Sequence, residues 1–203
     1  MKKKVVILIS GTGTNMVSLV QATRTNDFPA EVVAVISDNK DAKGIEKARI
    51  LGLSTYIIER KNFTDKQTFE TALLDRINAC QPDIVCLAGF MRLISQRIIA
   101  PYEGRILNIH PALLPLFRGL HTHQRALDAG VKITGCTVHL VTEGMDEGTI
   151  LGQAAVPVLE NDTADSLAER VLKVEHKLYP ATLRAFIEKP HKEVNADQQI
   201  ISY

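Results

Sequence analysis

Several features are scarce in this sequence, and each scarcity excludes something. No segment approaches the roughly 20 apolar residues of a membrane span. Lys2-Lys3-Lys4 followed by the apolar run 5–9 imitates a secretion signal, but the run stops at Ser10-Gly11, too short for a signal core. Charge of one sign is not in excess. Lys and Arg number 24 against 23 Asp and Glu, a net charge of +1, so no bulk basic surface points to nucleic acid. Cysteine is rare: Cys80, Cys86 and Cys136 cannot all pair within one chain and form no CxxC. That usage fits a reducing cytoplasm, with the thiols as small core residues. Repeats, low-complexity tracts and linkers are missing. The expected location is cytoplasmic, with no membrane and no nucleic-acid partner.

What is present is an ordinary globular composition. The 203 residues are 45% hydrophobic and 23% charged, enough for one domain over 1–203 with its own core. Apolar runs at 5–9, 32–36 and 84–88 read as strands buried on both faces, with shorter candidates at 56–58 and 106–109. Helical segments fall between them at about 15–24, 42–51 and 65–79. This alternation predicts an α/β fold, a Rossmann-like and mostly parallel sheet with helices on both faces. After residue 110 the pattern changes. Runs at 134–141 and 150–158, joined by a Gly-rich stretch, predict an antiparallel hairpin added to the sheet. A long C-terminal helix is expected from about 163 to 188, with Asp162 as its N-cap and Pro180 as a kink or break. Residues 189–203 read as a polar C-terminal tail.

The first strand runs into Ser10-Gly11-Thr12-Gly13-Thr14-Asn15, with a helix after it. Glycines let the backbone approach a ligand, and a helix start offers free N–H groups and a positive dipole end. A dinucleotide fingerprint needs a third glycine where Met16 stands, although Asp38 lies near the place of a ribose-binding acid. No Walker-type lysine follows. Two readings remain: a site for one phosphate, as in a mononucleotide or sugar phosphate, and a tight turn with no ligand.

Asn108 and His110 stand two apart at the end of an extended run, so their side chains share one face. Pro111 and Pro115 stiffen the exit. An amide donor and an imidazole emerging together at a strand's carboxyl end suit acyl transfer. The amide can stabilise a tetrahedral oxyanion, and the imidazole can exchange a proton near neutral pH. No Gly-x-Ser-x-Gly elbow and no cysteine with an obvious base supplies a covalent nucleophile. Asp146 lies in the Gly-flanked connection of the hairpin. It reads either as a carboxylate that orients His110 or as a solvated turn residue. Glu175 borders the apolar stripe of the last helix. It reads either as a ligand for a substrate amine or hydroxyl or as half of an ion pair. His121 and His123 lack metal-ligand spacing, with no HExxH motif, so no metal is expected.

At these residues the sequence resembles the folate-dependent formyltransferases. The segments that carry it are ISGTGTN (9–15), PDIVCLAGFMRLIS (82–95), LNIHPALLP (107–115), GLHTHQRAL (119–127), TEGMDEGTI (142–150) and VEHKLYP (174–180). Asn-x-His-Pro-x-Leu-Leu-Pro with a downstream Asp is specific to that superfamily. The resemblance implies the formyltransferase fold and transfer of the formyl group of the cosubstrate 10-formyltetrahydrofolate to the amine of 5-phosphoribosylglycinamide, a step of purine biosynthesis. It implies small-molecule partners and leaves a homodimer open. Asn108, His110 and Asp146 match the family's catalytic trio. Gly13, Thr14 and Asn15 match its substrate-phosphate loop. Leu172, Lys173, Val174 and Glu175 match a segment that touches the phosphoribosyl substrate. Met91, Arg92, Leu93 and Ile94 border the folate in the family, as do Thr142, Glu143, Gly144, Met145 and Asp146, with Asn108 between them. Lys66 stands where relatives can carry Arg near the folate's acidic tail; it keeps the charge and loses the bidentate fork. His121 is implied as a site-lining residue.

Rival readings are a formyltetrahydrofolate deformylase, a methionyl-tRNA formyltransferase core and a non-catalytic nucleotide-binding regulator. The first two normally carry a further domain, for which 203 residues leave no room. The third needs no proton-transfer pair.

Overall fold

The computed structural model describes residues 1–188; the polar tail expected over 189–203 lies outside the described residues. Five strands form the parallel part of the sheet: β1 (Lys3–Ile9), β2 (Ala30–Ser37), β3 (Thr55–Ile57), β4 (Ile84–Leu87) and β5 (Ile106–His110). Helices α1 (Thr14–Thr23), α2 (Lys43–Ile50), α3 (Lys66–Ala79) and the short α4 (Gln96–Ile99) connect them. The chain continues through α5 (Thr122–Asp128), β6 (Ile133–Leu140), β7 (Ile150–Pro157) and α6 (Ala164–Glu188). Strand order is β3-β2-β1-β4-β5-β6-β7. The β5–β6 and β6–β7 pairs are antiparallel, as the hairpin spacing predicts.

Burial follows the two-residue period of a strand. Val5, Ile7 and Ile9 of β1 face Met16, Leu19, Tyr179 and Leu183, so α1 and α6 cover that side. Val6 and Leu8 face Phe69, Leu73, Ile77 and Ile98 beneath α3 and α4. A third cluster joins Ala126, Cys136, Val156, Leu167 and Val171 across α5, the hairpin and α6. Cys86 and Cys136 are fully buried, and burial pushes both thiols up to about 12. They are core residues rather than nucleophiles. No described helix is long and apolar enough to cross a membrane.

Two details of α6 correct the sequence reading. Thr163, not Asp162, caps the helix: its hydroxyl accepts the Ser166 N–H at 3.1 Å, and its own N–H donates to Ser166 Oγ at 3.0 Å. Asp162 instead accepts two hydrogen bonds from Arg170 at 2.6 and 2.7 Å, together with the Leu159 N–H. Pro180 does not end the helix, which runs on to Glu188. Pro180 is itself buried, one residue after the fully buried Tyr179. Tertiary packing here outweighs the missing N–H.

Strand order reverses between β1 and β4, since β2 and β3 lie to one side and β5 to the other. Open α/β sheets hold ligands at the carboxyl ends of strands beside such a reversal. The Ser10–Asn15 loop, the segment after β4 and the end of β5 all emerge there.

Candidate active site

Asn108 and His110 share one face of β5, as their spacing requires, and both line a cleft of about 370 Å³. Leu87 and residues 89–94 form one wall, residues 141–146 another, and Gly119 and Leu120 sit at the rim. The volume lies within the range of small-molecule sites.

The loop after β6 brings Asp146 to His110, with Oδ2 3.3 Å from the ring Nδ1. The same oxygen accepts the Gly119 N–H at 2.9 Å. Asp146 adopts a left-handed backbone, φ +54°, a region that Asp tolerates better than most residues. On its far side, His110 Nε2 donates to the Phe117 carbonyl at 3.0 Å. Both neighbours of the ring are acceptors, so the contacts suit a ring carrying two protons. Burial opposes that charge and holds the His110 pKa below its ordinary 6.5, against the upward pull of the Phe117 carbonyl and Asp146. Asp146 favours the protonated ring, but in the ligand-free site desolvation outweighs it. For Asp146 itself burial pulls upward. The Gly119 N–H and the attraction of a protonated His110 oppose this, and the net shift is downward.

His139 was not legible in the sequence. The antiparallel register sets it opposite Asn108. Its Nδ1 donates to the Leu140 carbonyl at 2.8 Å, which leaves Nε2 3.2 Å from the Asn108 amide nitrogen and 3.6 Å from Asp146 Oδ1. It is 2% exposed. One Asn108 N–H is thereby held by His139 while the other remains for the cleft. The available signal was the Thr137/His139 alternation in β6, but the pairing register that gives it meaning is absent from the sequence.

The glycine loop meets this cleft through Ser10, whose N–H donates to the Gly89 carbonyl at 3.0 Å and whose Oγ accepts the Met91 N–H at 2.9 Å. Gly13 has φ +68°, and a Cβ there would lie 2.7 Å from Gly44 Cα. No side chain caps α1, so its first N–H groups are left without a capping acceptor. Met16, in place of a third glycine, is fully buried. Asn15 donates to Glu175 Oε2 at 2.7 Å, which joins the α1 and α6 segments. Burial raises the Glu175 pKa while the Asn15 amide pulls it down. The alternative ion pair at Glu175 is not found among the described residues. Leu172 and Val174 are half-buried and Lys173 is exposed.

Met91 and Leu93 stand 71% and 59% exposed on the cleft wall, while Ile94, which also lines the cleft, is buried against the core. Arg92 also lines the cleft, and its Nε pairs with the buried Asp38 at 2.5 Å. That pairing gives Asp38 a partner other than a ribose. Lys66 does not line the cleft. It lies 3.7 Å from Glu70 in a neighbouring depression that shares Glu143 with the cleft. His121 is likewise outside the lining; it is exposed just before α5, with φ +57°, while Gly119 and Leu120 take the rim.

Residues 3–183 match the sequence pattern of the family described as formyl transferase. The chain belongs to the formyl transferase family. Among solved structures, this formyl transferase family member is similar to phosphoribosylglycinamide formyltransferase from Brucella melitensis. The identity is 58% and the TM-score 0.89, over 97% of this chain and 100% of that one. It is 41% identical over 184 residues to phosphoribosylglycinamide formyltransferase of Escherichia coli (strain K12), covering 91% of this chain and 87% of the relative. It is also 45% identical over 183 residues to the trifunctional purine biosynthetic protein adenosine-3 of Bos taurus. That match takes in 90% of this chain but 18% of the relative, so the chain spans under a fifth of that protein's length.

Proposed function

We propose that the chain transfers the formyl group of 10-formyltetrahydrofolate to the amine of 5-phosphoribosylglycinamide, as a cytoplasmic enzyme acting on small molecules. The observation that carries this reading is the meeting of Asn108, His110 and Asp146 at one end of a cleft that adjoins an uncapped helix start. The names of the relatives support the same chemistry.

The α1 start, with Gly13, Thr14 and Asn15, holds the substrate phosphate on uncapped N–H groups. Glu175, fixed by Asn15, accepts a hydrogen bond from the amine-bearing or ribose part of the substrate. The cleft suits a reduced folate. Met91 and Leu93 offer exposed apolar surface to a flat ring, and the backbone of 142–146 offers groups for its polar edge. Arg92 supplies a cation on the same wall.

In the reaction a bond forms between the substrate amine and the formyl carbon, and the bond from that carbon to the folate nitrogen breaks. The amine loses one proton and the folate nitrogen gains one. Between these events the formyl oxygen carries negative charge, which the free Asn108 N–H and protonated His110 stabilise. One such donor is typically worth about 10²–10³ in kcat. The developing oxyanion favours the charged ring that burial alone disfavours. Asp146 sustains that charge and passes the proton, through water, toward the leaving nitrogen.

Purified protein incubated with both substrates tests the reading. Loss of formyl from the folate should match formylated amine one for one, and only when both substrates are present. Formate release independent of the amine would indicate a deformylase, and no turnover with a melting shift from NAD alone would indicate a nucleotide-binding regulator.

A further inference from the structure

A second cavity, of about 580 Å³, lies between α1, α2 and α6; Thr14 at the start of α1 lines it, but it shares no residue with the cleft around Asn108 and His110. Val17, Ala22, Ile50, Leu51 and Pro180 give it an apolar floor. Ile50 is 76% exposed and presents its alkyl side chain to the groove. Lys47 stands at the rim, in no ion pair among the described residues. Its ammonium donates only to the Thr12 carbonyl of the glycine loop, at 2.9 Å. His176 lines the opposite helix, and its Nε2 has no hydrogen-bond partner among the described residues. No Asp or Glu lines the groove.

We infer that this groove is a second small-molecule site, for an amphiphile with an apolar body and one carboxylate. The apolar floor takes the body. Lys47 takes the acid, since the groove offers a cation and no competing anion. The same ammonium holds the glycine loop, and the Gly44 N–H at the start of α2 donates to the Gly11 carbonyl at 3.0 Å. A bound carboxylate therefore draws Lys47 from Thr12 and loosens the loop, which couples the groove to the phosphate end of the active site. This coupling rests on the function proposed above; the binding site does not.

The probe is 2-naphthoate, with 2-naphthalenemethanol as its neutral counterpart, titrated into full-length protein with labelled methyl and amide groups. The methyls of Val17, Ala22, Ile50 and Leu51 and the amides of Thr12 and Gly13 should shift, while those of Met91 and Leu93 stay in place. The acid should bind about fivefold more tightly than the alcohol, the scale of one half-exposed ion pair. Lys47→Gln should remove that preference. Ile50→Asp, an exposed site that leaves folding intact, should weaken the acid more than the alcohol. Shifts confined to the catalytic cleft, no shifts at millimolar probe, or a preference that survives Lys47→Gln would overturn the site. In turnover, 2-naphthoate should raise the KM of the phosphoribosyl substrate at least twofold and leave the folate KM unchanged. Equal KM values with and without probe, in a protein whose groove methyls shift, would overturn the coupling alone.

Discussion

Glu175 of α6 accepts a hydrogen bond from the Asn15 amide of α1 at 2.7 Å, and both side chains are buried. The carboxylate is thus placed at the glycine loop at the expense of its hydration. Burial holds its pKa above the ordinary 4.5. The folded chain keeps that proton to higher pH than the unfolded chain, so stability falls as pH rises from 4.5 through the raised value.

Glu175→Gln removes this charge and keeps an oxygen for Asn15. At pH 8 the variant should melt at or above the wild-type temperature, by about 2–4 °C if the relief reaches 1 kcal/mol. Its KM for the phosphoribosyl amine should rise about tenfold, the scale of one lost charged hydrogen bond. Thermal melting and steady-state kinetics check the two halves.

His110 should titrate below 6.5 in the ligand-free protein, because burial outweighs its two acceptors. The unfolded imidazole takes its proton first as pH falls, so stability declines from 6.5 down toward the depressed value. Asp146, also lowered, contributes stability above 3.8 that is lost as pH falls through its folded value. In Asp146→Asn the His110 titration should move lower still. Imidazole NMR titration measures both; a ring titrating above 6.5 contradicts the balance described.

Gly13→Ala should cost about 1–3 kcal/mol, through its left-handed backbone and the contact with Gly44. Gly11→Ala meets nothing within 4 Å and should cost under about 0.5 kcal/mol. Denaturant unfolding of the pair separates a loop shaped by close packing from one that merely contains glycine.

Thr163→Ala should lower stability by about 1 kcal/mol through the lost α6 cap, a melting shift of about 2–4 °C. A variant that melts with wild type would return the cap to Asp162.

Elements were legible wherever one local pattern decided them. The apolar runs fixed the parallel strands, and the two-residue spacing of Asn108 and His110 fixed their common face. The meeting of Asp146 with His110 was expected from resemblance; residue order alone favoured a solvated turn. His139 and the Asp38–Arg92 pair were missed because each depends on a partner 31 or 54 residues away. Sheet register and loop folding decide such pairs, and neither leaves a local trace. The Asp162 assignment failed for a local reason: Asp162 and Thr163 are both good caps, and Arg170 claimed the first.

The account stands on Asp146 acting through His110 on the formyl carbon. The single-turnover rate of formyl transfer in Asp146→Asn, with both substrates saturating, tests this most directly. The expected result is a rate about 10³-fold below wild type, with substrate affinities within threefold of it. A rate within about fivefold of wild type, in a variant that melts normally, would contradict it.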